Sequence, residues 1–179
     1  QTLGRNCAGG LINLRSRQSA DSEIIASLYE DTVFIWNREI IGEAPAGLVS
    51  KRWVETPEGY VYAPSVQPVA YQPNTVLEKL PDTIAGPGMW AEVTVPYVDL
   101  IQDNPPARSP WLTEADHPRL YYTQVVWIDG IQIDSSGRAF YRINELYGNP
   151  GDIFWAKAEG FRQITQEETQ PISPELENK

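Results

Sequence analysis

Cysteine and histidine each occur once in the chain, as Cys7 and His117, and they are the only residues that could form a thiolate–imidazole nucleophile. Such a dyad needs hydrogen-bond contact between the two side chains and a third group that orients the imidazole. The two residues are far apart in the sequence, and no serine lies in a nucleophile-elbow pattern. We therefore expect Cys7 to be a buried or half-buried apolar residue, His117 to be a loop residue, and the chain to contain no catalytic residue.

Pairs of carboxylates are a second possible source of chemistry, since glycoside hydrolysis uses two of them. The pairs are Glu30 with Asp31, Glu114 with Asp116, and Glu167 with Glu168. Most acidic neighbours are solvated loop residues, so we expect no catalytic role for these pairs. The single cysteine also excludes an intrachain disulfide and a thiolate metal cluster. We expect neither a metal nor a cofactor.

Aromatic residues are numerous, with six tryptophans and nine tyrosines, more than two small cores bury comfortably. Exposed rings suit the recognition of flat or amphipathic ligands. Alternation along strands is expected to place Trp36, Trp53 and Trp127 inside. Loop aromatics, chiefly Tyr29 and Trp111, are the better candidates for ligand contact. Tyr121 is a further candidate in the second copy.

Two arginines in or near polar loops, Arg15 and Arg108, are further candidates for ligand binding. The forked guanidinium group matches the two oxygens of a carboxylate, such as one on a peptide. The alternative is that such arginines pair with loop acids nearby in the sequence, among them Asp21, Glu23 and Asp116.

Short runs rich in β-branched and aromatic residues recur along the chain, with proline and glycine between them, as in strands joined by turns. The predicted strands are residues 11–14, 32–36, 52–56, 60–62, 92–100, 120–128, 139–143 and 153–155. Helix is expected only as a single turn at residues 20–25 and weakly at residues 174–178. The sequence therefore predicts an all-β fold.

The chain contains an internal repeat, whose paired positions are 91 to 93 residues apart. Arg15 pairs with Arg108, Leu28 with Leu120, Trp36 with Trp127, and Tyr62-Ala63 with Trp155-Ala156. Each copy begins with an extended segment and a long polar loop, and its last strand ends in an aromatic residue followed by alanine. We therefore expect one small antiparallel barrel per copy.

Residues 64–88 contain five prolines, which stiffen a connector because each proline fixes φ. The predicted division is a first barrel at 1–70, a Pro-rich connector at 71–88, a second, more divergent barrel at 89–165, and an acidic tail at 166–179. Alternatively, apolar residues of the connector pack it onto a barrel, namely Tyr71, Val76, Leu77 and Leu80.

The net charge is −10, from 14 basic and 24 acidic residues. Most of such a surface repels a phosphate backbone or an anionic membrane. No stretch approaches the roughly 20 apolar residues that a membrane helix needs. We therefore expect no nucleic-acid partner and no membrane insertion in this chain.

Several short motifs follow one another in the first copy: Leu11-Ile-Asn-Leu-Arg-Ser16, Ser22-Glu-Ile-Ile25, Leu28-Tyr29, Val33-Phe-Ile-Trp36, Trp53-Val-Glu55 and Gly59-Tyr-Val-Tyr-Ala63. In this order they resemble a bacterial SH3-like (SH3b) domain, over residues 10–68. Such a domain opens with an Asn-x-Arg strand and closes with a Trp-containing strand and a Gly-aromatic-Val turn. The copy departs from the family at residues 37–50, a long insertion where the family has a short loop.

The second copy departs further, because residues 103–118 and 145–151 look like insertions and no asparagine stands beside Arg108. The two copies are followed by Ile164-Thr-Gln-Glu-Glu168 and Pro171-Ile-Ser-Pro174. Together they resemble the region before the catalytic domain of certain bacterial L,D-transpeptidases, which cross-link peptidoglycan. In that family the catalytic domain carries a His and a Ser-His-Gly-Cys run, and this sequence contains neither motif.

The resemblance implies an extracytoplasmic, non-catalytic region that binds cell-wall peptidoglycan or positions substrate, with stem peptides as partners and the chemistry in a domain absent from this chain. The alternative is a protein–protein or intramolecular docking module that packs on that catalytic domain. A small enzyme that uses Cys7 and His117 is the third hypothesis. A separation of more than about 10 Å between these two side chains would exclude it.

Overall fold

The strands follow the alternation of apolar and polar residues, because successive side chains in a strand point to opposite faces. In Met89–Val93, for example, Met89, Ala91 and Val93 are buried while Trp90 is 48% exposed. The computed structural model describes residues 2–103, 118–144 and 152–169. These residues form strands and short 3-10 helices and no α-helix, so the predicted all-β class is confirmed.

The first compact unit, Gln1–Tyr71, is built from two antiparallel sheets. Its strands are β1 (Leu3–Asn6), β2 (Ile12–Arg15), β3 (Ile24–Leu28), β4 (Val33–Ile35), β5 (Arg38–Ile41), β6 (Arg52–Glu55), β7 (Tyr60–Tyr62) and β8 (Val66–Val69). One sheet has the order β4-β1-β8 and the other β3-β2-β7-β6-β5. A 3-10 helix, Ala63–Ser65, joins β7 to β8. Val54 and Val61 are opposite each other in β6 and β7 and lie in the core with Leu14.

The second compact unit, Gln72–Lys179, contains a six-stranded antiparallel sheet and two strand pairs. Its strands are β9 (Asp82–Thr83), β10 (Gly86–Pro87), β11 (Met89–Val93), β12 (Tyr97–Asp99), β13 (Ile101–Gln102), β14 (Arg119–Tyr121), β15 (Val125–Ile133), β16 (Ala139–Asn144), β17 (Ile153–Lys157) and β18 (Phe161–Gln163). The large sheet has the order β13-β17-β16-β15-β11-β18, and the pairs are β12-β14 and β9-β10. Two 3-10 helices, Ala158–Gly160 and Glu167–Thr169, lie on either side of β18.

The two units share one strand order. The strand β1 lies between β4 and β8, just as β11 lies between β15 and β18. A 3-10 helix precedes the last strand of each unit's sheet. The long strand β15 pairs with β11 along its first part and with β16 along its second part. In the first unit two separate strands make these pairings: β4 pairs with β1, and β5 pairs with β6. All these sheets are open, and no closed barrel forms within the residues that the structure describes.

Residues 72–88, nearly all of the predicted connector 71–88, pack on the second unit. The backbone N–H of Leu77 donates to the hydroxyl oxygen of Tyr141 at 3.0 Å, and burial raises the pKa of this tyrosine. Leu80 is 5% exposed and belongs to the core of this unit, with Val76 and Leu77 packed against it. Burial of these apolar side chains stabilises the packed segment relative to a solvated linker. Tyr71, in contrast, is 63% exposed.

Three predictions of local structure differ from what is observed. Residues 20–25 do not form a helical turn, because Ile24–Leu28 pairs with β2 as a strand. The predicted strand 92–100 is interrupted between β11 and β12, and the predicted strand 120–128 is interrupted between β14 and β15. The expected insertion at 145–151, most of that at 103–118, and the weak helix at 174–178 lie outside the described residues.

Candidate functional site

Tyr29 opens a four-residue turn, Tyr29 to Thr32, that connects β3 to β4. The N–H of Thr32 donates to the carbonyl oxygen of Tyr29 at 3.1 Å, and Asp31 has a φ of +60°. Two further backbone bonds tie the turn to β1, because the N–H of Asn6 donates to Thr32 at 3.0 Å and the N–H of Asp31 donates to Asn6 at 3.2 Å. The first unit therefore holds the backbone of Tyr29 in a fixed place.

Tyr121 opens a turn of the same construction, Tyr121 to Gln124, between β14 and β15. The N–H of Gln124 donates to the carbonyl oxygen of Tyr121 at 3.0 Å, and Thr123 has a φ of +70°. The turn is tied to β11, because the N–H of Val93 donates to Gln124 and the N–H of Thr123 donates to Val93, both at 2.9 Å. Each bond has its counterpart in the first unit, so Tyr29 and Tyr121 are equivalent positions. We name these segments the tyrosine turns.

Thr123 is the strained residue of the second tyrosine turn, because a β-branched side chain rarely adopts a positive φ. Its side chain is exposed. We expect Thr123→Asn to raise the free energy of unfolding by about 1 kcal/mol, since asparagine tolerates this conformation. Urea unfolding measures the change. Thr123→Val keeps the β-branched strain and should give no gain, and an equal gain in both variants would contradict the assigned strain.

The two tyrosines differ in exposure. The side chain of Tyr29 is 72% exposed and that of Leu11 is 55% exposed. Because Ile12 is opposite Leu28 in the β2–β3 hairpin, Leu11 and Tyr29 occupy the next positions along the two strands. The side chain of Tyr121 is half-buried. The other predicted site residues of the second copy, Trp111 and Arg108, lie outside the described residues.

A buried polar cluster of Arg5, Asn6 and Asp31 contacts the backbone of the first tyrosine turn. The guanidinium group of Arg5 forms an ion pair with Asp31, and the two side chains are 7% and 5% exposed. The side-chain amide of Asn6 donates to the carbonyl oxygens of Leu28 at 3.1 Å and Tyr29 at 2.9 Å. The sequence does not indicate this cluster, because Asp31 stands beside Glu30 and two neighbouring acids are usually solvated loop residues.

Arg15 lies away from the tyrosine turn, at the opposite end of the β2–β3 hairpin, where it is opposite Ile24. Its guanidinium group donates to the carbonyl oxygen of Ser22 at 2.6 Å. Arg15 therefore braces its own polar loop, and the structure does not bring it together with Tyr29. Among the described residues, Arg15 forms no ion pair with Asp21 or Glu23, the acids expected as its partners.

The three tryptophans that are expected to point inside differ in their burial. Trp53 is 2% exposed, and Trp36 packs against the core of the first unit. Trp127 is half-buried and lies on the face of β15 opposite to the buried Val126 and Ile128, so the expectation that it points inside is wrong. It makes an edge-to-face contact with the exposed Trp90, with ring centroids 5.4 Å apart. Trp90 is an exposed aromatic residue that sequence reasoning did not select.

Cys7 is exposed, so the prediction of a buried or half-buried cysteine is wrong. The chain leaves the core after Asn6, and the N–H of Cys7 donates to Ser65 at 3.0 Å while its side chain faces solvent. His117, with Glu114 and Asp116, lies outside the described residues.

The remaining acidic pair, Glu167 and Glu168, lies at the surface in the last 3-10 helix. The backbone N–H of Thr165 and the guanidinium group of Arg162 lower the pKa of Glu168. An Arg162 nitrogen lies 2.9 Å from a carboxylate oxygen of Glu168. This geometry gives Glu168 a capping and ion-pairing role.

Among residues 2–103, 118–144 and 152–169, no cluster of three or more potential metal ligands is found. No helix in this part of the chain has the length and apolar character needed to cross a membrane. Comparisons with protein-family models and with curated proteins found no match to this chain.

Proposed function

We propose that the chain is a non-catalytic binding region of two SH3-like units, which binds peptidoglycan outside the cytoplasmic membrane beside the catalytic domain of an L,D-transpeptidase. The observation that carries this proposal is the tyrosine turn, built from the same hydrogen bonds in both units. A turn repeated in this way offers a ligand two contact points along one chain, of which Tyr29 is exposed and Tyr121 is half-buried.

The shared strand order supports the SH3-like assignment. Both units place their first long strand beside a last strand that follows a 3-10 helix. Two motifs of the first copy also coincide with strands of the first unit: Leu11-Ile-Asn-Leu-Arg-Ser16 lies at β2 and Trp53-Val-Glu55 lies in β6.

The chemistry of Tyr29 suits a wall polymer, which presents amide groups and the apolar faces of sugar rings. An exposed tyrosine supplies a large contact area with one polar end and loses little conformational entropy on binding. Leu11 is also exposed and occupies the adjoining position of the β2–β3 hairpin, where it adds apolar surface. Because the net charge is −10, anionic wall components would not attract the chain. Binding must therefore come from direct contacts with complementary groups of the wall.

Co-sedimentation with insoluble peptidoglycan tests the proposal. We expect the chain to stay in the pellet at about 1 M NaCl, where the Debye length is about 3 Å. Tyr29→Ala should reduce the affinity by about fivefold to tenfold, since an aromatic contact contributes about 1 kcal/mol or more. Its backbone hydrogen bonds are unchanged by the substitution.

Tyr71→Ala is the matched control, because Tyr71 is also an exposed tyrosine of the first unit and lies outside the turn. It should bind as the unsubstituted chain does. Equal losses in the two variants, or no retention of the unsubstituted chain, would contradict wall binding through the tyrosine turn.

One observation favours docking on the catalytic domain as a second candidate function. Strand β3 is the edge of its sheet, and its residues Ile24 and Ile25 are each 50% exposed. An exposed apolar edge strand is a ready site for pairing with another protein. This function predicts binding to the separately produced catalytic domain, loss of that binding in an Ile25→Lys variant, and no retention on peptidoglycan.

A further inference from the structure

The second unit contains a cavity of about 590 Å³, within the size range of small-ligand sites. Three segments that are distant in sequence line it: residues 76–78, the turn between β15 and β16, and the end of β17 with the following 3-10 helix. Its apolar lining includes Val76, Leu77 and Ile133, the last of which is 67% exposed.

Hydrogen bonds hold the walls of this cavity together. The N–H of Leu77 donates to the hydroxyl group of Tyr141 at 3.0 Å, which ties residues 76–78 to β16. The N–H of Asn74 donates to the carbonyl oxygen of Glu159 at 2.8 Å, which ties the chain just before residues 76–78 to the 3-10 helix. These bonds fix the backbone of the cavity walls before any ligand arrives, whereas the charged side chains that line the cavity are exposed. Binding therefore orders side chains but not backbone.

Charged groups of both signs line the cavity: Glu78, Arg138, Lys157 and Glu159. The guanidinium group of Arg138 is paired with Asp134 at 2.8 Å. The ammonium group of Lys157 and the carboxylates of Glu78 and Glu159 form no ion pair or side-chain hydrogen bond with any described residue. Side chains of opposite charge thus line one cavity without an ion pair between Lys157 and either carboxylate, and a ligand that carries both charges can contact both.

We propose that this cavity binds a short peptide that carries both a carboxylate and an ammonium group. The carboxylate pairs with Lys157, the ammonium group with Glu78 or Glu159, and methyl and methylene groups of the peptide contact Val76, Leu77 and Ile133. The inference rests on the proposed function for the source of the peptide, since the stem peptides of peptidoglycan belong to this class.

Isothermal titration of the full chain with the soluble stem tetrapeptide L-Ala-γ-D-Glu-L-Lys-D-Ala tests the inference. We expect saturable binding that Lys157→Gln and the double variant Glu78→Gln, Glu159→Gln each weaken about fivefold to tenfold. The matched control is Lys79→Gln, because Lys79 is an exposed neighbour paired with Asp82 and does not line the cavity. Loss in Lys79→Gln equal to that in Lys157→Gln would overturn the site.

Two further probes separate the possible ligands. The tetrapeptide with acetylated amines and amidated carboxyl groups should not bind, and free lysine should bind more weakly than the tetrapeptide. Equal affinity for free lysine would overturn the peptide assignment, and no binding of the tetrapeptide would overturn the whole inference. Retention on insoluble peptidoglycan that depends on Tyr29 can persist in that case, so the proposed function is judged separately.

Discussion

Replacing Asp31 with alanine is expected to lower the free energy of unfolding of the first unit by about 3–5 kcal/mol, the usual cost of breaking a buried ion pair. The substitution leaves the buried guanidinium group of Arg5 without the carboxylate that it contacts. It also puts alanine at a φ of +60°, which adds strain. Whole domains are stable by only about 5–15 kcal/mol, so this loss is large.

Asp31→Asn is the control that separates charge from backbone conformation. Asparagine tolerates the positive φ and still accepts hydrogen bonds, so its remaining loss reports the missing charge. Urea unfolding followed by tryptophan fluorescence measures both variants. A loss below about 1 kcal/mol in Asp31→Ala, the value typical of an exposed pair, would contradict the burial of this ion pair.

Trp53→Ala is the second substitution with a large expected effect, again a loss of about 3–5 kcal/mol. The indole ring is 2% exposed and meets Tyr62 edge-to-face, with ring centroids 5.4 Å apart. Its Nε1–H donates to the carbonyl oxygen of Glu43 at 3.0 Å, which fixes the long segment between β5 and β6. Removing the ring leaves a cavity and breaks the hydrogen bond to Glu43.

Trp53→Phe keeps much of the ring packing and removes the hydrogen bond, so its loss should be about 1–2 kcal/mol. Thermal and urea unfolding of the three proteins measure the order. Equal losses in the alanine and phenylalanine variants would show that packing of the ring contributes little, contrary to its burial.

The sequence predicts the strands best where the alternation of apolar residues is local. Residues 60–62 and 139–143 were both expected as strands and form β7 and most of β16. Strands such as β1 and β8 escape prediction because their pairing partners are far away in the sequence, and Leu3–Asn6 and Val66–Val69 become strands by pairing with each other. Tertiary pairing, rather than local propensity, decides such segments.

The tyrosine turns illustrate what a repeat in sequence can and cannot predict. The pairing of Leu28 with Leu120 correctly aligns the strands that precede the turns. The residue with positive φ is Asp31 in one turn and Thr123 in the other, so no shared residue type indicates the shared conformation. The hydrogen bonds from β1 and β11 impose it instead.

The exposure of Tyr29 agrees with its predicted loop position, whereas the cavity of the second unit could not be predicted. Its lining comes from residues 76–78 and from positions around 133–139 and 157–159. No spacing in the sequence indicates that these segments meet. The burial of Leu80 and the bond from Leu77 to Tyr141 bring them together.

Salt-washed co-sedimentation with peptidoglycan of four proteins, the unsubstituted chain, Tyr29→Ala, Tyr121→Ala and the double variant, tests the central claim most directly. If both tyrosine turns bind the wall, each single variant loses affinity and the double variant loses more than either, because two linked contacts reinforce each other. Near-ultraviolet circular dichroism checks that each variant is folded. A double variant retained like the unsubstituted chain would contradict the account.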